Sequence, residues 1–371
     1  MTTVRAAVLH ECPGWLDIGE IDLDSPGPRE VLVRTVAAGL CHSDLHFMEG
    51  KYVPQLPWVG GHESAGIVET VGSEVDYVKA GDHVVTCLSV FCGECELCLT
   101  GRPYLCSSPK LRRAPDEPPR LSQGGVALTQ AGQLGSFAEA LLVHEHALVK
   151  IDPEMPLDRA SLLGCGTTTG VGAVFNTAKV TPGSTVAVIG CGGVGLNVIQ
   201  GAALAGASRV IAIDLLPSKL ELARRFGATD FVNASTIDPV EEVVALTGGG
   251  VEFSFEAIGL TATAEQSFAM LAKGGTATVI GLIPAGQQIT LPAVAFWTTE
   301  RRIQGSVMGS NRFRRDIPRM VQLYLQGRLN LDDLISAHIT LDEVNIGFRR
   351  LQGGEVARSV IDFDTSSSGA A

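Results

Sequence analysis

Short apolar runs separated by glycine and proline fill the first part of the chain, up to about residue 160. Runs of this kind are typical of β-strands; they are EVLVRTVAAGL, SAGIVETVG, DHVVTCLSV and AEALLVHEHALVKI. Residues 107–135 are instead polar and rich in Pro and Gly without a strong period, which predicts a long loop. The pattern therefore predicts a β-rich domain that carries one long loop.

From about residue 170 the pattern changes to an alternation of strands and helices. STVAVIGCGGVGLNVIQGAALAGASRVIAID has the pattern of strand, Gly-rich turn, helix and strand, and PSKLELARRFGATDFVNA that of helix and strand. EEVVALTGGGVEFSFEAIG and SFAMLAKGGTATVIGL continue the alternation, which predicts parallel βαβ units. Further on, FRRDIPRMVQLYLQGRL predicts an amphipathic helix, and the tail DTSSSGAA is expected to be disordered.

Composition adds size and charge to this outline. With 371 residues, 45% of them hydrophobic, the chain is long enough for two domains with a buried core each. The net charge of −12 disfavours nucleic acid as a partner, because phosphate binding needs clustered cations. The start MTTVRAAVLHE lacks the apolar core of a signal peptide, and no apolar run suits a membrane span. We therefore expect a cytoplasmic protein.

Nine cysteines, an odd number, argue against a disulfide framework in a reducing cytosol. Four of them lie in CGECELCLTGRPYLC with two, two and seven intervening residues: Cys92, Cys95, Cys98 and Cys106. Two-residue spacers let thiolates converge on one ion, and four thiolates form closed zinc sites that stabilise a fold. An iron–sulfur cluster and free thiols are the alternatives, but the ferredoxin run has three residues and then Pro around its last cysteine, where this chain has seven and Ser107. We expect a structural zinc here and the chemistry elsewhere.

The motif GCGGVG follows the apolar run TVAVI and precedes a predicted helix. Gly190 suits a tight turn, Gly192 lets the backbone approach a pyrophosphate, and Gly195 lets helix and strand pack closely. Asp214 stands 19 residues beyond Gly195, where an acid binds a free ribose 2′-OH and repels a 2′-phosphate. This context predicts NAD rather than NADP, whereas the motif alone would suit an ordinary Gly-rich loop. Lys219 is expected beside the adenosine ribose, with a solvated helix cation as the alternative.

Three further candidate ligands are scattered along the chain beside glycines: Cys41 in GLCHSDLH, His62 in GGHESAG and Cys165 in LLGCGTTTG. Three protein ligands plus water make an open, catalytic zinc site. Spacing alone does not select this trio, because a small buried Cys is common and a lone His is usually a satisfied surface or core residue.

Over about residues 5 to 363, the chain resembles the zinc-dependent medium-chain alcohol dehydrogenases. The resemblance is carried by four stretches in this order: GHESAGIVETVG, the four-cysteine stretch, GCGTTTG and GCGGVG. The long segment between Cys106 and Gly135 is more similar to the liver alcohol dehydrogenase branch than to the bacterial tetrameric one. The resemblance implies an α/β fold: a GroES-like, β-rich catalytic domain in two segments, and an inserted Rossmann domain with a doubly wound parallel sheet. The implied bounds are 1–166 with a structural zinc lobe at 88–110, 167–307 for the Rossmann domain, and 308–371 for the returning segment.

The resemblance also implies two zinc ions, held by Cys41, His62 and Cys165 (catalytic) and by Cys92, Cys95, Cys98 and Cys106 (structural). Glu63 would be a carboxylate near the catalytic zinc, and Asp44 would orient His62. Ser43 and His46 would form a proton relay, with a turn hydrogen bond and a surface imidazole as the alternatives. The implied cofactor residues are His42, Thr169, Gly190, Gly192, Gly193, Val194, Gly195, Asp214, Lys219 and Arg358, with Thr169 and Val194 at the nicotinamide and His42 and Arg358 at the pyrophosphate.

Departures from the family pattern point to a wide substrate pocket. His42 stands where many relatives have Arg, and Leu88 stands where the liver-type pocket has Phe. Ser43 is also smaller than the Thr often found at its position. The pocket is expected to be lined by Tyr52, Leu88, Leu282 and Met308, which favours bulky or aromatic alcohols over ethanol.

The expected activity is therefore the reversible oxidation of a primary or secondary alcohol to an aldehyde or ketone, with zinc as Lewis acid and NAD as hydride acceptor. The expected partners are the small-molecule substrate and further copies of the chain, in a homodimer or a homotetramer, without nucleic acid or membrane. One alternative is a thiol-adduct formaldehyde dehydrogenase, which needs cations such as Lys110, Arg112 and Arg113. The others are a nicotinoprotein with permanently bound NAD and a catalytically silent dinucleotide sensor, which should have lost zinc ligands that this chain retains.

Overall fold

The change of sequence pattern near residue 170 coincides with a change of architecture in the computed structural model, which describes residues 2–354 and 357–363. Unit 1 comprises the described residues of 1–165 and 312–371, and unit 2 spans 166–311. The tail DTSSSGAA, with its expected disorder, lies outside the described residues. The domain bounds inferred from the resemblance stay predictions beside these observed units.

The strands, in chain order, are β1 (Thr2–Leu9), β2 (Asp17–Leu23), β3 (Glu30–Gly39), β4 (Trp58–Val59), β5 (Glu63–Val71), β6 (His83–Thr86), β7 (Leu121–Gln123), β8 (Val126–Ala127), β9 (Thr129–Gln130), β10 (Ala140–His144), β11 (Leu148–Lys150), β12 (Thr185–Ile189), β13 (Arg209–Asp214), β14 (Asp230–Asn233), β15 (Val251–Glu256), β16 (Leu271–Val279), β17 (Arg302–Gly305), β18 (Ile335–Ile339) and β19 (Arg358–Asp362).

The α-helices are α1 (His42–Met48), α2 (Glu96–Leu99), α3 (Leu157–Ser161), α4 (Gly166–Gly172), α5 (Gly193–Leu204), α6 (Pro217–Arg225), α7 (Pro239–Thr247), α8 (Thr261–Ala269), α9 (Ala293–Thr298), α10 (Phe313–Leu325) and α11 (Val344–Gln352). A π-helix, Ala173–Ala178, continues α4. Short 3₁₀ turns cover Pro103–Leu105, Pro109–Leu111, Ala131–Gln133, Glu145–Ala147, Leu162–Gly164, Asp332–Leu334 and Leu341–Glu343, and a further tight turn covers Met308–Ser310.

Unit 1 is built on two mainly antiparallel sheets. One has the order β8-β7-β2-β1-β4-β9, and the other has the order β11-β6-β5-β3-β19-β18, with β10 also paired to β3. Strand β19 comes from the end of the chain and pairs with β3 through Val360 opposite Gly39. The last segment of the chain therefore completes the sheet that the first segment begins, and the predicted β-rich domain in two segments is confirmed.

Unit 2 contains one six-stranded sheet of order β14-β13-β12-β15-β16-β17, in which every pair is parallel. The chain proceeds outward from β12 to β14, then returns beside β12 with β15 and proceeds in the other direction. In sheets of this kind, ligands bind at the carboxyl ends of the strands where the order reverses. The predicted doubly wound parallel sheet is confirmed, and the GCGGVG motif follows β12 at that reversal point.

The predicted long loop at 107–135 is wrong in one respect, because it contains strands β7, β8 and β9. Strands β7 and β8 form an antiparallel hairpin with Ser122 opposite Ala127. Gly124 and Gly125 connect them with φ of 56° and 83°, which a two-residue turn between antiparallel strands requires. The Gly-Gly pair was therefore a hairpin signal inside a segment that otherwise has a loop composition.

In the part of the chain that the structure describes, no helix combines the length and apolarity needed to cross a membrane.

Candidate metal and dinucleotide sites

A buried set of side chains that could hold a metal ion forms inside unit 1. Cys41 precedes α1, His62 and Glu63 lie at the start of β5, and Cys165 follows the 3₁₀ turn Leu162–Gly164. The candidate ligand atoms of these four residues all lie within 4.8 Å of one another, and all four residues are buried. Segments far apart in sequence therefore bring together the three ligands that the resemblance implies, with Glu63 beside them.

Asp44 fixes the orientation of the His62 ring. Oδ1 of Asp44 lies 3.0 Å from Nδ1 of His62 and accepts a hydrogen bond from Gly61 N at 3.1 Å. Burial disfavours the imidazolium, but Asp44 and the Cys41 sulfur outweigh burial and raise the pKa of His62 well above its ordinary value. Nε2 of His62 is buried and has no hydrogen-bond partner among the described residues. The imidazole therefore presents its second nitrogen to the interior of the set.

The two sulfurs of the set differ in charge. A hydrogen bond from Cys165, helped by Arg358 and His62, lowers the pKa of Cys41 well below its ordinary value. The same hydrogen bond, together with burial, raises the pKa of Cys165. Arg358 is 3% exposed, and its Nη2 lies 4.0 Å from Cys41 Sγ. The interior of unit 1 thus stabilises a thiolate, which is the form of cysteine that binds metals.

Glu63 is a fully buried carboxylate at the edge of the set. Its two oxygens have no hydrogen-bond partner among the described residues, and Nη2 of Arg358 lies 3.5 Å from Oε1. Burial raises the pKa of Glu63 to about 8. A Cβ on Gly39 would stand 2.7 Å from Oε2 of Glu63, so this glycine provides the space that the carboxylate occupies.

Zinc fits this donor set by its chemistry. Two sulfurs and one imidazole nitrogen are ligands that zinc takes, and catalytic zinc sites have three protein ligands and one open position. The unpartnered Nε2 of His62 and the low pKa of Cys41 are both what such a ligand set requires.

The four cysteines of the motif form a second, less buried cluster. Their sulfurs lie 3.5 Å (Cys95–Cys98), 3.8 Å (Cys95–Cys106) and 3.9 Å (Cys92–Cys98) apart. A tetrahedral zinc with Zn–S bonds of 2.3 Å has sulfur–sulfur distances of about 3.8 Å. An iron–sulfur cluster would spread the thiolates over several irons. The four sulfurs therefore fit one tetrahedral ion.

Backbone amides support thiolates in this cluster. Cys95 N donates to Cys92 Sγ at 3.3 Å, and Cys92 N donates to Cys106 Sγ at 3.3 Å. Burial opposes the thiolate of Cys92, but the amides of Glu94 and Cys95 lower its pKa to about 6. Burial raises the pKa of Cys98 to about 12. Gly93 has a φ of 82°, the conformation that the turn between the first two cysteines needs.

Two of the predicted relay and pocket residues of unit 1, Ser43 and Leu88, lie near the buried set. Ser43 Oγ lies 3.7 Å from Cys41 Sγ. His46 is half-buried; its Nδ1 has no hydrogen-bond partner among the described residues, and burial lowers its pKa. A Cβ on Gly132 would lie 2.9 Å from Leu88 Cβ and 3.8 Å from His62 Cβ, so Leu88 is close to the donor set.

Two further predicted residues of unit 1 lie nearer the surface. The Tyr52 ring is 5.9 Å from that of Phe47, and His42, which opens α1, is exposed. Their predicted roles stay predictions.

In unit 2 the GCGGVG motif forms a tight turn between β12 and α5. Gly190 has a φ of 94°, and a Cβ on Gly195 would lie 1.7 Å from Gly190 O, so no other residue fits at Gly195. Helix α5 begins at Gly193 with Gly192 as its N-cap, and its first amide groups therefore lie at the motif. A helix start after a glycine turn binds phosphate groups.

Asp214 supports this turn from the end of β13. Its Oδ2 accepts a hydrogen bond from Cys191 N at 2.8 Å, and its Oδ1 accepts one from Leu216 N at 3.1 Å. Val194 and Lys219 are half-buried. Thr169 is 7% exposed, and its hydroxyl donates a hydrogen bond to Met308 Sδ at 3.4 Å. The remaining predicted pocket residue, Leu282, is 45% exposed.

The cations considered for a thiol-adduct activity have different surroundings. Arg113 is committed to an ion cluster: it donates to Glu30 Oε2 at 2.6 Å, to Asp24 Oδ2 at 2.6 Å and to two backbone carbonyls. Lys110 forms an ion pair with Glu94 at the surface, and Arg112 is exposed. Only Lys110 and Arg112 of the three therefore face solvent.

The predicted site residues thus form a buried donor set, a four-cysteine cluster and a Gly-rich turn with its acid. The pocket residues do not form one group within a unit: Tyr52 and Leu88 belong to unit 1, and Leu282 and Met308 belong to unit 2. The contact of Arg358 with Glu63 and Cys41 was missed by sequence reasoning, which assigned Arg358 only to a pyrophosphate. No local signal in the sequence indicates this contact, because Arg358 and Cys41 are 317 positions apart along the chain.

Comparison with known families agrees with both units. Residues 27–153 match the family described as "Alcohol dehydrogenase GroES-like domain", and residues 193–326 match the family described as "Zinc-binding dehydrogenase". These two matches cover most of the chain.

Similar proteins span almost the whole chain. An S-(hydroxymethyl)glutathione dehydrogenase of Synechocystis is 40% identical over 97% of this chain and 99% of the relative. An NDMA-dependent alcohol dehydrogenase of Amycolatopsis methanolica is 38% identical over 96% of this chain and 98% of the relative. The crystal structure of benzyl alcohol dehydrogenase from Acinetobacter calcoaceticus superposes with a TM-score of 0.92, at 34% identity, over 98% of this chain and 99% of that one.

Proposed function

This chain belongs to the zinc-dependent medium-chain alcohol dehydrogenases, and we propose that it oxidises primary or secondary alcohols reversibly to aldehydes or ketones with NAD as the acceptor. Bulky or aromatic alcohols are the proposed substrates. The observation that carries the proposal is the buried set of Cys41, His62 and Cys165, in which His62 Nε2 has no hydrogen-bond partner among the described residues. When bound, zinc would supply a Lewis acid for the alcohol oxygen, and NAD would supply the hydride acceptor.

The protein groups around the set have separate roles in this proposal. Asp44 accepts a hydrogen bond from Nδ1–H of His62 and so orients the ring with Nε2 available to bind a metal. Arg358 offsets the negative charge of the Cys41 thiolate, whose Sγ lies 4.0 Å from its Nη2, and the same Nη2 lies 3.5 Å from Oε1 of Glu63. Burial of these groups excludes water and strengthens their electrostatic interactions.

Proton release is assigned to Ser43 and His46. The Ser43 hydroxyl lies beside the Cys41 sulfur, where it can take a hydrogen bond from an alcohol and pass the proton on. His46 is half-buried with a lowered pKa, so it is neutral at pH 7 and able to accept a proton. The relay between the two stays a proposal.

The Gly-rich turn and Asp214 are the proposed dinucleotide site. The helix start at Gly193 is suited to the pyrophosphate, and Asp214 retains acceptor capacity for a ribose hydroxyl after its two bonds to the backbone. A carboxylate at this position repels a 2′-phosphate, which supports NAD over NADP.

The preference for bulky alcohols is supported by the small residues at the donor set and by one relative. Leu88 and Ser43 leave more volume than Phe and Thr would. The structure named benzyl alcohol dehydrogenase superposes over nearly the full chain. The formation of a homodimer or homotetramer and the cytoplasmic location stay predictions.

Two other enzyme functions are kept because of named relatives. S-(hydroxymethyl)glutathione dehydrogenase supports oxidation of a thiol adduct, but Arg113 is held by Glu30 and Asp24, which leaves Lys110 and Arg112 as cations for the adduct. The NDMA-dependent relative supports the nicotinoprotein alternative, in which NAD stays bound and an external compound accepts electrons. The silent sensor has less support, since the chain retains every implied zinc ligand.

The deciding experiment compares kcat/KM for benzyl alcohol, ethanol and S-(hydroxymethyl)glutathione with NAD and with NADP. Benzyl alcohol with NAD should give the highest value. A preference for the adduct would overturn the substrate proposal, and activity only with an added dye as acceptor would favour permanently bound NAD. The Leu88→Phe variant is the matched probe: it should lower the ratio of benzyl alcohol to ethanol, by a factor that corresponds to about 1–3 kcal/mol.

A further inference from the structure

Three consecutive residues of unit 2 have positive φ: Met308 at 49°, Gly309 at 64° and Ser310 at 47°. Ser310 N donates to Val307 O at 2.9 Å, which closes a tight turn with Met308 and Gly309 at its centre. Positive φ is uncommon outside glycine, because the Cβ then approaches a backbone carbonyl oxygen. Met308 and Ser310 are therefore held in a conformation that their side chains disfavour.

The π-helix Ala173–Ala178 holds this turn. Oγ1 of Thr177 lies 2.8 Å from Ser310 Oγ and 2.9 Å from Ser306 Oγ, so one hydroxyl binds the residues on both sides of the turn. Asn176 Nδ2 donates to Gly309 O at 3.2 Å. A π-helix is rare and is frequently found at functional sites, and here it carries both side chains that contact the turn.

Close packing leaves the turn little freedom. A Cβ on Gly172 would lie 2.5 Å from Gly309 O, and a Cβ on Gly309 would lie 2.3 Å from Thr168 O. Helix α4 and the turn are therefore in direct backbone contact. Strain of this kind persists only where the surrounding structure imposes the conformation.

The turn fixes one side chain of the proposed reaction site. Met308 Sδ accepts a hydrogen bond from the Thr169 hydroxyl at 3.4 Å, and Thr169 is four residues beyond Cys165 along the chain. Methionine is flexible and adapts to the space around it, so its position depends on the backbone that carries it. The strained backbone therefore determines where this thioether lies relative to Thr169.

We propose that Thr177 is a positioning residue for substrate choice. Its hydroxyl holds the 308–310 turn in the left-handed conformation and thereby keeps the Met308 thioether in contact with the Thr169 hydroxyl. The inference rests on the proposed alcohol oxidation and assigns part of its selectivity to a residue outside the predicted pocket. Glycine would adopt the φ of Ser310 without a steric cost. The serine at this position instead provides a hydroxyl that Thr177 binds.

The test uses the purified full-length protein and four variants. Thr177→Val keeps the shape of the side chain and removes both hydroxyl contacts. The ratio of kcat/KM for benzyl alcohol over ethanol should change by about twofold to tenfold, the range for a neutral hydrogen bond. Thr177→Ser keeps a hydroxyl and should keep the ratio. Thr177→Val combined with Ser310→Gly should restore it, because glycine keeps the turn without the hydroxyl. Thr181→Val removes a hydroxyl that lies 2.9 Å from Ser184 Oγ in another turn, and it should leave the ratio unchanged.

The outcomes separate this inference from the function on which it rests. Alcohol oxidation by the wild type, a changed ratio in Thr177→Val and restoration by Ser310→Gly support the inference. An unchanged ratio in an active and folded Thr177→Val overturns the inference alone, as does a changed ratio that Ser310→Gly does not restore. If Thr177→Val does not fold, the Thr177→Ser and double variants decide, since both must then match the wild-type ratio. A wild type that oxidises none of the alcohols overturns the proposed function and the inference together.

Discussion

Oδ1 of Asp44 lies 3.0 Å from Nδ1 of His62 in the interior of unit 1, where the two residues are 1% and 5% exposed. The contact determines the tautomer of the imidazole, because a proton on Nδ1 leaves the lone pair on Nε2. The same carboxylate oxygen accepts a hydrogen bond from Gly61 N, which fixes the position of the carboxylate. Asp44 therefore orients the imidazole of the proposed metal ligand His62.

Asp44→Asn should weaken zinc binding at the donor set by about 10- to 100-fold, since the loss of an outer carboxylate typically has this effect. The four-cysteine site should keep its ion, so that zinc per chain after dialysis falls from about two to about one, measured by elemental analysis. Asp82→Asn is the control: Asp82 is 8% exposed in the same unit but binds Lys150 Nζ and Lys79 N. Equal zinc retention in Asp44→Asn and the control would contradict the assigned role.

Cys98→Ser and Cys165→Ser should have opposite effects. Cys98 belongs to a closed four-sulfur cluster, so its replacement should lower the free energy of unfolding with a smaller effect on the activity of the folded fraction. Cys165 belongs to the buried donor set, so its replacement should abolish turnover with little change in the melting temperature. Melting curves and turnover measured on both variants test this prediction, and equal effects on stability would refute the division into two sites.

Gly39→Ala should disturb Glu63 specifically. A Cβ at Gly39 would lie 2.7 Å from Glu63 Oε2 and 3.2 Å from Leu162 Cδ2, so the carboxylate must shift. Stability should fall by about 1–3 kcal/mol, the usual effect of overpacking, and activity should fall with it. Gly305→Ala in β17 is the matched control, because a Cβ there meets nothing within 4 Å. Denaturant unfolding of both variants distinguishes a local clash from a general intolerance of alanine in strands.

Asp214→Asn should narrow the preference for NAD over NADP. The substitution removes a charged acceptor for the ribose and a negative charge that repels a 2′-phosphate, and a hydrogen bond to a charged group is worth about 1.5–3 kcal/mol. The ratio of kcat/KM for the two cofactors should therefore fall by about tenfold or more. Asp230→Asn, at the amino end of β14, serves as the control. A wild type that uses both cofactors equally would show that Asp214 does not select the cofactor.

Glu30 should stabilise unit 1 in a pH-dependent way. Burial opposes its charge, but hydrogen bonds from Arg113 and Arg120 lower its pKa from 4.5 to about 2. A lowered pKa stabilises the fold above the unfolded value, and this contribution is lost as the pH falls from about 4.5 towards 2. The contribution is about 3 kcal/mol at neutral pH.

Glu30→Gln should therefore destabilise the protein at pH 6, and the difference from wild type should shrink as the solution is acidified. Urea unfolding at several pH values between 3 and 6 measures it, with the exposed Glu20→Gln on β2 as the control. A difference that is constant with pH would mean that the ion cluster is not what stabilises this region. Arg113→Ala should act in the same direction on stability, because its guanidinium is committed to this cluster.

The sequence predicted those parts of the site whose residues are close together along the chain. Local spacing was enough to predict two of them: the cluster of four cysteines within fifteen residues, and the turn formed by the glycine motif between a strand and a helix. Cys41, His62 and Cys165 meet only because β3, β5 and the turn before Cys165 pack together, so their assignment depended on family resemblance and not on spacing.

Other features had no sufficient sequence signal. The contact of Arg358 with Glu63 joins segments far apart in the chain and follows from the pairing of β19 with β3. The sequence does not indicate the left-handed turn at Met308 and Ser310, because only Gly309 has the residue type expected for positive φ. The hairpin of β7 and β8 was indicated by Gly124 and Gly125, but the surrounding loop composition concealed it.

The central claim is that the donor set of Cys41, His62 and Cys165 binds the zinc on which NAD-dependent alcohol oxidation depends. The most direct measurement returns zinc to protein that has been briefly chelated, and follows the formation of NADH from benzyl alcohol together with the zinc content. Activity should be absent at about one zinc per chain and should rise in proportion as the content approaches two. Activity that is independent of the second zinc, or no NADH at two zinc ions per chain, would contradict it.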